Sequence, residues 1–101
     1  MSGQDPGANS KKLLARAFSV LRNEEEYCQF LGDLFTAGEL EILAQRLIVA
    51  NMLDGCDTYT RIAESTGAST ATISRVKRFL TGGFGGYRLV LERLREKGDL
   101  L

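Results

Sequence analysis

Residues 59–80 read YTRIAESTGASTATISRVKRFL, and their spacing is typical of two helices joined by a sharp turn. Ile62 and Ala63 lie in the first segment, where a small side chain lets a second helix cross closely. Gly67 falls where the chain must turn, because glycine adopts positive φ without steric cost. Ser69 can then cap the second helix with its hydroxyl group. The stretch therefore predicts a helix-turn-helix.

The second helix of this stretch is predicted to have two chemically different faces. Ile73 and Val76 are three residues apart, so both are predicted to face the core. The rest of the helix carries hydroxyl groups, a methyl group and cations, which are suited to base edges and phosphates. Double-stranded DNA is the predicted partner, and the predicted contacts are Ser69, Thr70, Ala71, Thr72, Ser74, Arg75, Lys77 and Arg78.

Charge is distributed unevenly along the chain. Residues 59–80 contain four cations and one anion, whereas residues 18–41 contain one cation and six anions. A locally basic segment is the electrostatic footprint of a DNA-binding helix, while the formal net charge of zero argues against sequence-independent coating of nucleic acid. Because helix–glycine–helix corners also occur in all-α proteins that never bind DNA, the charge is what favours the DNA-binding interpretation.

The composition narrows the class of protein. The 101 residues fit one small domain with a modest core. Cys28 and Cys56 cannot provide four zinc ligands without histidine. Reduced cysteines that pack as small apolar residues in a cytoplasmic protein are favoured over a disulfide. No signal peptide, membrane-spanning stretch, cofactor motif or activated nucleophile is recognisable, so the sequence does not predict an enzyme.

Apolar periodicity predicts an all-α fold of about six helices without a sheet. Residues 1–9 are polar and predict a disordered leader, followed by a single domain over residues 10–101. Ser10 is the predicted cap of the first helix. Asn23 and Glu26 have the spacing of a capping box at the start of the second helix.

The third predicted helix is apolar on nearly all sides. It would begin with a capping box formed by Thr36 and Glu39 and end at Gly55. A helix of this kind must be buried on nearly all sides, which a short chain can hardly achieve alone. An interlocked homodimer is therefore predicted. The alternative is the central helix of a monomeric bundle.

A glycine-rich run, TGGFGG at residues 81–86, precedes the last predicted helix. It predicts a flexible connection and not a phosphate loop, because it lacks the Lys-Ser/Thr ending and a preceding strand. The last helix would run from Tyr87 to about Lys97, with Gly98 after it. Its predicted apolar face consists of Val90, Leu91 and Leu94.

Three segments carry a resemblance to a known family. They are AQRLIVANML at residues 44–53, TY at residues 58–59 and TGASTATISRVKRFL at residues 66–80. On these segments the chain resembles the Trp repressor-like proteins, and among them the YerC/YecD family, over about residues 13–94. The resemblance implies an intertwined homodimer that binds operator DNA and regulates transcription, most often as a repressor.

The resemblance also implies a mechanism and an effector pocket. Two recognition helices would enter successive major grooves roughly 34 Å apart, so the operator would be near-palindromic. In tryptophan-responsive members, two arginines sandwich the indole ring and a threonine helps to hold the ligand. Arg46, Arg75 and Thr36 match those positions. Val76 stands where the tryptophan repressor has glycine, and Phe79 where it has serine.

These two departures predict that tryptophan is not the ligand. Val76 and Phe79 would fill part of the pocket and hold the recognition helix without a corepressor; the identity of any other small-molecule effector stays open. Arg46 has an alternative role as a helix arginine paired with a carboxylate such as Glu41. The whole chain also has an alternative function. It could be a protein-interaction module that keeps the fold without DNA binding and binds its partner through the acidic run at residues 24–26.

Overall fold

A computed structural model of the protein describes residues 7–99, which form six α-helices and, within that range, no strand. This confirms the all-α prediction. The helices are α1 (Ala8–Ser19), α2 (Glu24–Leu34), α3 (Ala37–Asp54), α4 (Tyr59–Thr66), α5 (Thr70–Gly82) and α6 (Gly86–Glu96).

The chain divides into two compact units at Ala37 and Gly38. The first contains α1 and α2, and the second contains nearly all of α3 with α4, α5 and α6. The single domain predicted for residues 10–101 stays a prediction. Most of the predicted leader, residues 1–6, lies outside the described residues.

The first helix begins earlier than Ser10 predicts. Gly7 is the N-cap, with a left-handed φ of 79° and no side-chain cap, and its carbonyl oxygen accepts the first helical bond from Lys11 N at 2.9 Å. Gly7 therefore begins the helix through its backbone conformation, without a hydroxyl cap. Ser10 therefore lies inside the first turn, and Ala8 and Asn9, predicted as leader, are helical.

The cap of α2 is confirmed. The Asn23 side chain accepts a hydrogen bond from Glu26 N at 2.9 Å. The Glu26 carboxylate accepts from Arg22 N at 2.8 Å, one residue before the position that a capping box requires. The Phe18 ring joins α1 to α2 by stacking on Tyr27 and meeting Phe30 edge-on. Neither helix contains a buried residue.

The core of the second unit holds the helix-turn-helix together. Its buried residues come from all four helices and from the turn between α4 and α5: Val49, Ala50, Ile62, Ala68, Ile73, Val76, Leu80 and Leu91. Each large aliphatic side chain buried here contributes roughly 1.5–3 kcal/mol relative to exposure. The prediction that Ile73 and Val76 face the core is confirmed.

A polar clamp joins the end of α3 to α6. Asp54 accepts hydrogen bonds from Arg95 Nη1 at 2.7 Å and from Arg88 Nη1 at 3.1 Å. Arg95 Nη2 also donates to the Asn51 side chain at 3.0 Å. The hydrogen bond from Arg95 is the main cause that lowers the pKa of Asp54. Burial opposes it as the second-largest effect, and the positive charges of Arg95 and Arg88 then lower the pKa further.

The glycine run forms a defined turn. A Cβ atom at Gly83 would overlap the carbonyl oxygen of Phe79, and Gly85 caps α6 with a φ of +85°. The last helix starts at Gly86, one residue before the predicted Tyr87. On its predicted apolar face Leu91 is buried and Leu94 half-buried, but Val90 is exposed because it faces the cavity described below.

Several apolar side chains of α3 are exposed in the single chain, including 52% of Ile42 and 40% each of Leu43 and Ile48. Only Val49 and Ala50 of this helix are buried. No helix within residues 7–99 has the length and apolar character needed to cross a membrane. Both cysteines are free, and both are exposed at the surface instead of packing as small apolar residues.

Candidate nucleic-acid interface

The turn of the helix-turn-helix is fixed by backbone geometry and one hydroxyl group. Gly67 adopts a φ of 73° and donates its N–H to the carbonyl of Ala63 at 2.9 Å. The Thr66 hydroxyl donates to the carbonyl of Ile62 at 2.7 Å and accepts from Ala68 N at 3.1 Å. The last turn of α4 therefore ends with its polar groups paired, which sets the direction of α5.

The N-terminus of α5 is capped as predicted. Ser69 Oγ accepts from Thr72 N at 3.1 Å and also donates to Thr72 Oγ1 at 3.1 Å. These bonds give both predicted DNA-contact residues a structural role at the start of the helix. Thr58 caps α4 in the same way, accepting from Arg61 N at 3.2 Å.

Most of the predicted DNA-contact residues lie on the solvent-facing side of α5 or at its N-terminus, whereas Thr72 and Lys77 lie on its flanks. Successive helical residues rotate by about 100°, so Ala71, Ser74 and Arg78 lie opposite the buried Ile73 and Val76. All eight predicted residues are exposed except Thr72, which is half-buried: Ser69, Thr70, Ala71, Thr72, Ser74, Arg75, Lys77 and Arg78. The face carries cations without a neighbouring carboxylate on the same helix.

The cations of α5 are held over aromatic rings. The Lys77 ammonium lies 5.8 Å from the ring centroid of Tyr59, the first residue of α4. The Arg75 and Arg78 guanidinium carbons lie 5.1 Å and 5.7 Å from the ring centroid of Phe79. Cations at these distances are attracted to the ring face.

A cavity of about 570 Å³ lies between α3, α5 and α6. Its walls are mostly apolar, with two guanidinium groups among them: Arg46, Leu47, Arg75, Val76, Phe79, Gly83, Phe84, Gly86, Tyr87 and Val90. Four of the five predicted pocket residues therefore lie together. Val76 is buried and Phe79 is half-exposed, yet the space beside them stays open.

Two predictions about this pocket have different outcomes. Thr36 belongs to the first unit, and its role in ligand binding stays a prediction from the resemblance. The alternative that Arg46 pairs with a carboxylate such as Glu41 is wrong, since Arg46 forms no ion pair among residues 7–99. The two residues are five positions apart on α3, which places them on different sides of the helix.

The sequence did not indicate several features of this region. The side-chain amide of Gln45 on α3 donates to the carbonyl of Thr66 at 3.1 Å, a contact across 21 positions. The apolar lining from Phe84 and Tyr87 also depends on how α6 returns to α5. The contact between Arg75 and Phe79 could have been predicted from the sequence, because side chains four residues apart meet on a helix.

Comparisons with known proteins agree with this geometry. The sequence profile of the Trp repressor protein family matches residues 9–95. The uncharacterized protein YerC of Bacillus subtilis (strain 168) is 51% identical over 76 residues, which are 75% of this chain and 73% of YerC.

Two solved structures share the fold. A candidate Trp repressor from Staphylococcus aureus is 44% identical with a TM-score of 0.79, over 87% of this chain and 88% of its own. A TrpR-like protein from Eubacterium eligens ATCC 27750 is 45% identical with a TM-score of 0.81, over 93% of this chain and 94% of its own. The chain therefore belongs to the Trp repressor family, as a YerC-like member of a group of non-enzymatic DNA-binding regulators.

Proposed function

We propose that this protein is a sequence-specific transcriptional regulator, acting as a repressor, that binds a near-palindromic operator as a homodimer. The observation that carries the proposal is the outer face of α5, where short hydroxyl and methyl side chains lie beside Arg75 and Arg78, with Lys77 on its flank. Short side chains allow a helix to approach base edges closely, and the cations offer contacts to phosphates.

Each part of α5 has its own role in this proposal. Thr70, near the helix start, approaches base edges or phosphates, and Ala71 offers its methyl group to a thymine methyl. Lys77 and Arg78 contact phosphates, or guanine where the arginine reaches a base edge. Ser69 and Thr72 keep the start of the helix in place through their mutual hydrogen bonds. Their hydroxyl groups use their remaining hydrogen-bonding capacity on DNA.

The homodimer is supported by apolar surface that the single chain leaves exposed. Helices α1 and α2 contain no buried residue, although Leu13 and Val20 are apolar and 65% and 74% exposed. Ile42 on α3 is 52% exposed. Large apolar surfaces of this kind are typical of protein interfaces, and a second copy with the same surfaces is the simplest partner.

Binding of DNA without tryptophan is the second part of the proposal. Val76 and Phe79 both line the cavity, and Val76 is packed into the core beside it. The core contacts of Ile73, Val76 and Leu80 hold α5 in place without a ligand. The remaining space, with Arg46 and Arg75 in its lining, suits an effector that combines an apolar body with an acidic group.

Selection from a randomised duplex DNA library tests the proposal. The protein is incubated with the library at moderate salt without added ligand, and the bound pool is sequenced. We expect a palindromic motif with half-sites about one helical turn apart. An unenriched pool would contradict ligand-independent binding, and would favour the alternative of an interaction module with the acidic run at residues 24–26 as its surface.

Calorimetry tests the exclusion of tryptophan. Titration of the protein with tryptophan is expected to give no stoichiometric heat of binding, because Val76 and Phe79 stand where the tryptophan repressor has glycine and serine. Tight binding at one ligand per chain would contradict this part of the proposal. Adding tryptophan to the selection should then also sharpen the enriched motif.

A further inference from the structure

One aromatic ring on the recognition helix lies close to two cations. Arg75 lies 5.1 Å and Arg78 lies 5.7 Å from the centroid of Phe79, measured from each guanidinium carbon. The ring is 42% exposed, while its helix neighbours Val76 and Leu80 are buried in the core. Phe79 also lines the cavity between α3, α5 and α6, so its exposed ring borders both that cavity and the two arginines.

The arrangement has a consequence for how the arginines meet DNA. A free arginine side chain samples many rotamers, and holding it in one of them reduces affinity at the moment of binding. Recognition of guanine or phosphate also requires the planar guanidinium fork in a defined orientation. A ring face that attracts two guanidinium groups limits their rotamers before any DNA arrives.

We propose that Phe79 is a positioning residue for DNA binding, which orders Arg75 and Arg78 through its ring. It acts through the two arginines and makes no base contact of its own. The inference rests on the proposed function, since it describes how the DNA-binding face is prepared. Its rival is that Phe79 serves only as a wall of the cavity between α3, α5 and α6.

The first test compares Phe79→Leu and Phe79→Tyr with the wild-type protein on the selected duplex. Leucine keeps an apolar side chain without the ring, and tyrosine keeps the ring. Phe79→Leu should bind roughly tenfold more weakly, because two arginine side chains must now be ordered on binding. The slope of log affinity against log salt should stay unchanged, because the same phosphates are neutralised. Phe79→Tyr should bind like wild type.

Three outcomes of this test would overturn the inference. Phe79→Leu could bind DNA as tightly as wild type, or Phe79→Tyr could bind as weakly as Phe79→Leu. Alternatively, the dependence of log affinity on log salt could flatten in Phe79→Leu, as it would when an arginine is replaced by alanine. A double-mutant cycle separates positioning from folding. In an Arg75→Ala/Arg78→Ala background the Phe79→Leu change should have no further effect, whereas a repeated tenfold loss would assign Phe79 to the cavity or the fold.

A DNA-free measurement separates this inference from the proposed function. In NMR spectra of the free protein, ring-current shifts should move the side-chain protons of Arg75 and Arg78 upfield. Phe79→Leu should abolish these shifts and Phe79→Tyr should retain them; shifts that are absent from wild type would overturn the inference. Failure of wild type to bind any selected duplex would refute the proposed function, whereas equal binding by wild type and Phe79→Leu would refute only the role of Phe79.

Discussion

At the scale of single residues, Gly67 shows how one backbone conformation sets the geometry of the site. Its φ of +73° is strained for any side chain, although a Cβ atom there would meet nothing within 4 Å. Gly67→Ala should therefore destabilise the protein by about 1–2 kcal/mol for conformational reasons alone. Chemical denaturation measures the loss.

Gly32 provides the matched control for that change. It lies inside α2, and a Cβ atom there also meets nothing within 4 Å. Gly32→Ala should raise stability by roughly 0.5–1 kcal/mol, because alanine is the better helix former. Equal changes in the free energy of unfolding for the two substitutions would contradict this prediction. They would show that alanine adopts the left-handed conformation at Gly67 without strain.

Arg78 tests the phosphate contacts at the same scale. Arg78→Ala should flatten the dependence of log affinity on log salt by about one unit for each copy that contacts a phosphate. Arg93→Ala removes the same charge from α6, outside the helix-turn-helix, and should leave the slope unchanged. Equal slopes for wild type and Arg78→Ala would refute the contact.

At the scale of helices, the Asp54 clamp ties α6 to the end of α3. Asp54→Asn should destabilise the protein by about 1 kcal/mol at neutral pH, a modest loss because both arginines are partly exposed to solvent. Asp57→Asn is the control: it removes only an exposed pair with Arg61 at 3.5 Å and should cost less. Thermal unfolding of the two variants compares the losses.

The clamp also predicts a pH dependence with a definite sign. Because the pKa of Asp54 in the folded protein lies below the ordinary 3.8, its contribution is fully present above pH 3.8. The contribution is lost as the pH falls through the lowered folded pKa. The stability difference between wild type and Asp54→Asn should thus shrink in strong acid, and a constant difference across this range would contradict the assignment.

Local sequence patterns predicted the helices well, because caps and turns depend on neighbouring residues. Asn23, Gly67 and Ser69 were each recognisable from the few residues around them. The start of α1 was missed because Gly7 turns the backbone without a side-chain cap, a solution that leaves no polar pattern. The exposure of Val90 could not be predicted, since it depends on how α6 packs beside α5.

The candidate site was predictable to a similar degree. The faces of α5 follow from helical periodicity, so the exposed set and the buried Ile73 and Val76 could be separated in advance. Contacts between distant segments could not be predicted from the sequence. Examples are the hydrogen bond from Gln45 to Thr66 and the place of Tyr87 in the cavity lining. These contacts depend on tertiary packing, which a single sequence encodes only indirectly.

At the scale of the whole molecule, the exposed apolar surface of α3 predicts association. Ile42→Glu places a charge on a side chain that is 52% exposed in the single chain, so a monomer should tolerate it. In a dimer the charge would be buried without a partner and should shift the protein to monomers. Sedimentation equilibrium measures the change.

Ser65→Glu on α4 is the control, since it adds the same charge at an exposed position outside α3. It should leave the oligomeric state unchanged. Wild type should also show a melting temperature that rises with protein concentration, as dimers do. A monomeric wild-type protein at micromolar concentration would contradict the homodimer.

The central claim is that two α5 helices bind successive major grooves of one operator. The most direct measurement is a binding titration on the selected duplex and on the same duplex with five base pairs inserted between its half-sites. Insertion of half a turn should move one half-site to the opposite side of the DNA and reduce the affinity to that of a single half-site. Equal affinity for the two duplexes would contradict the claim.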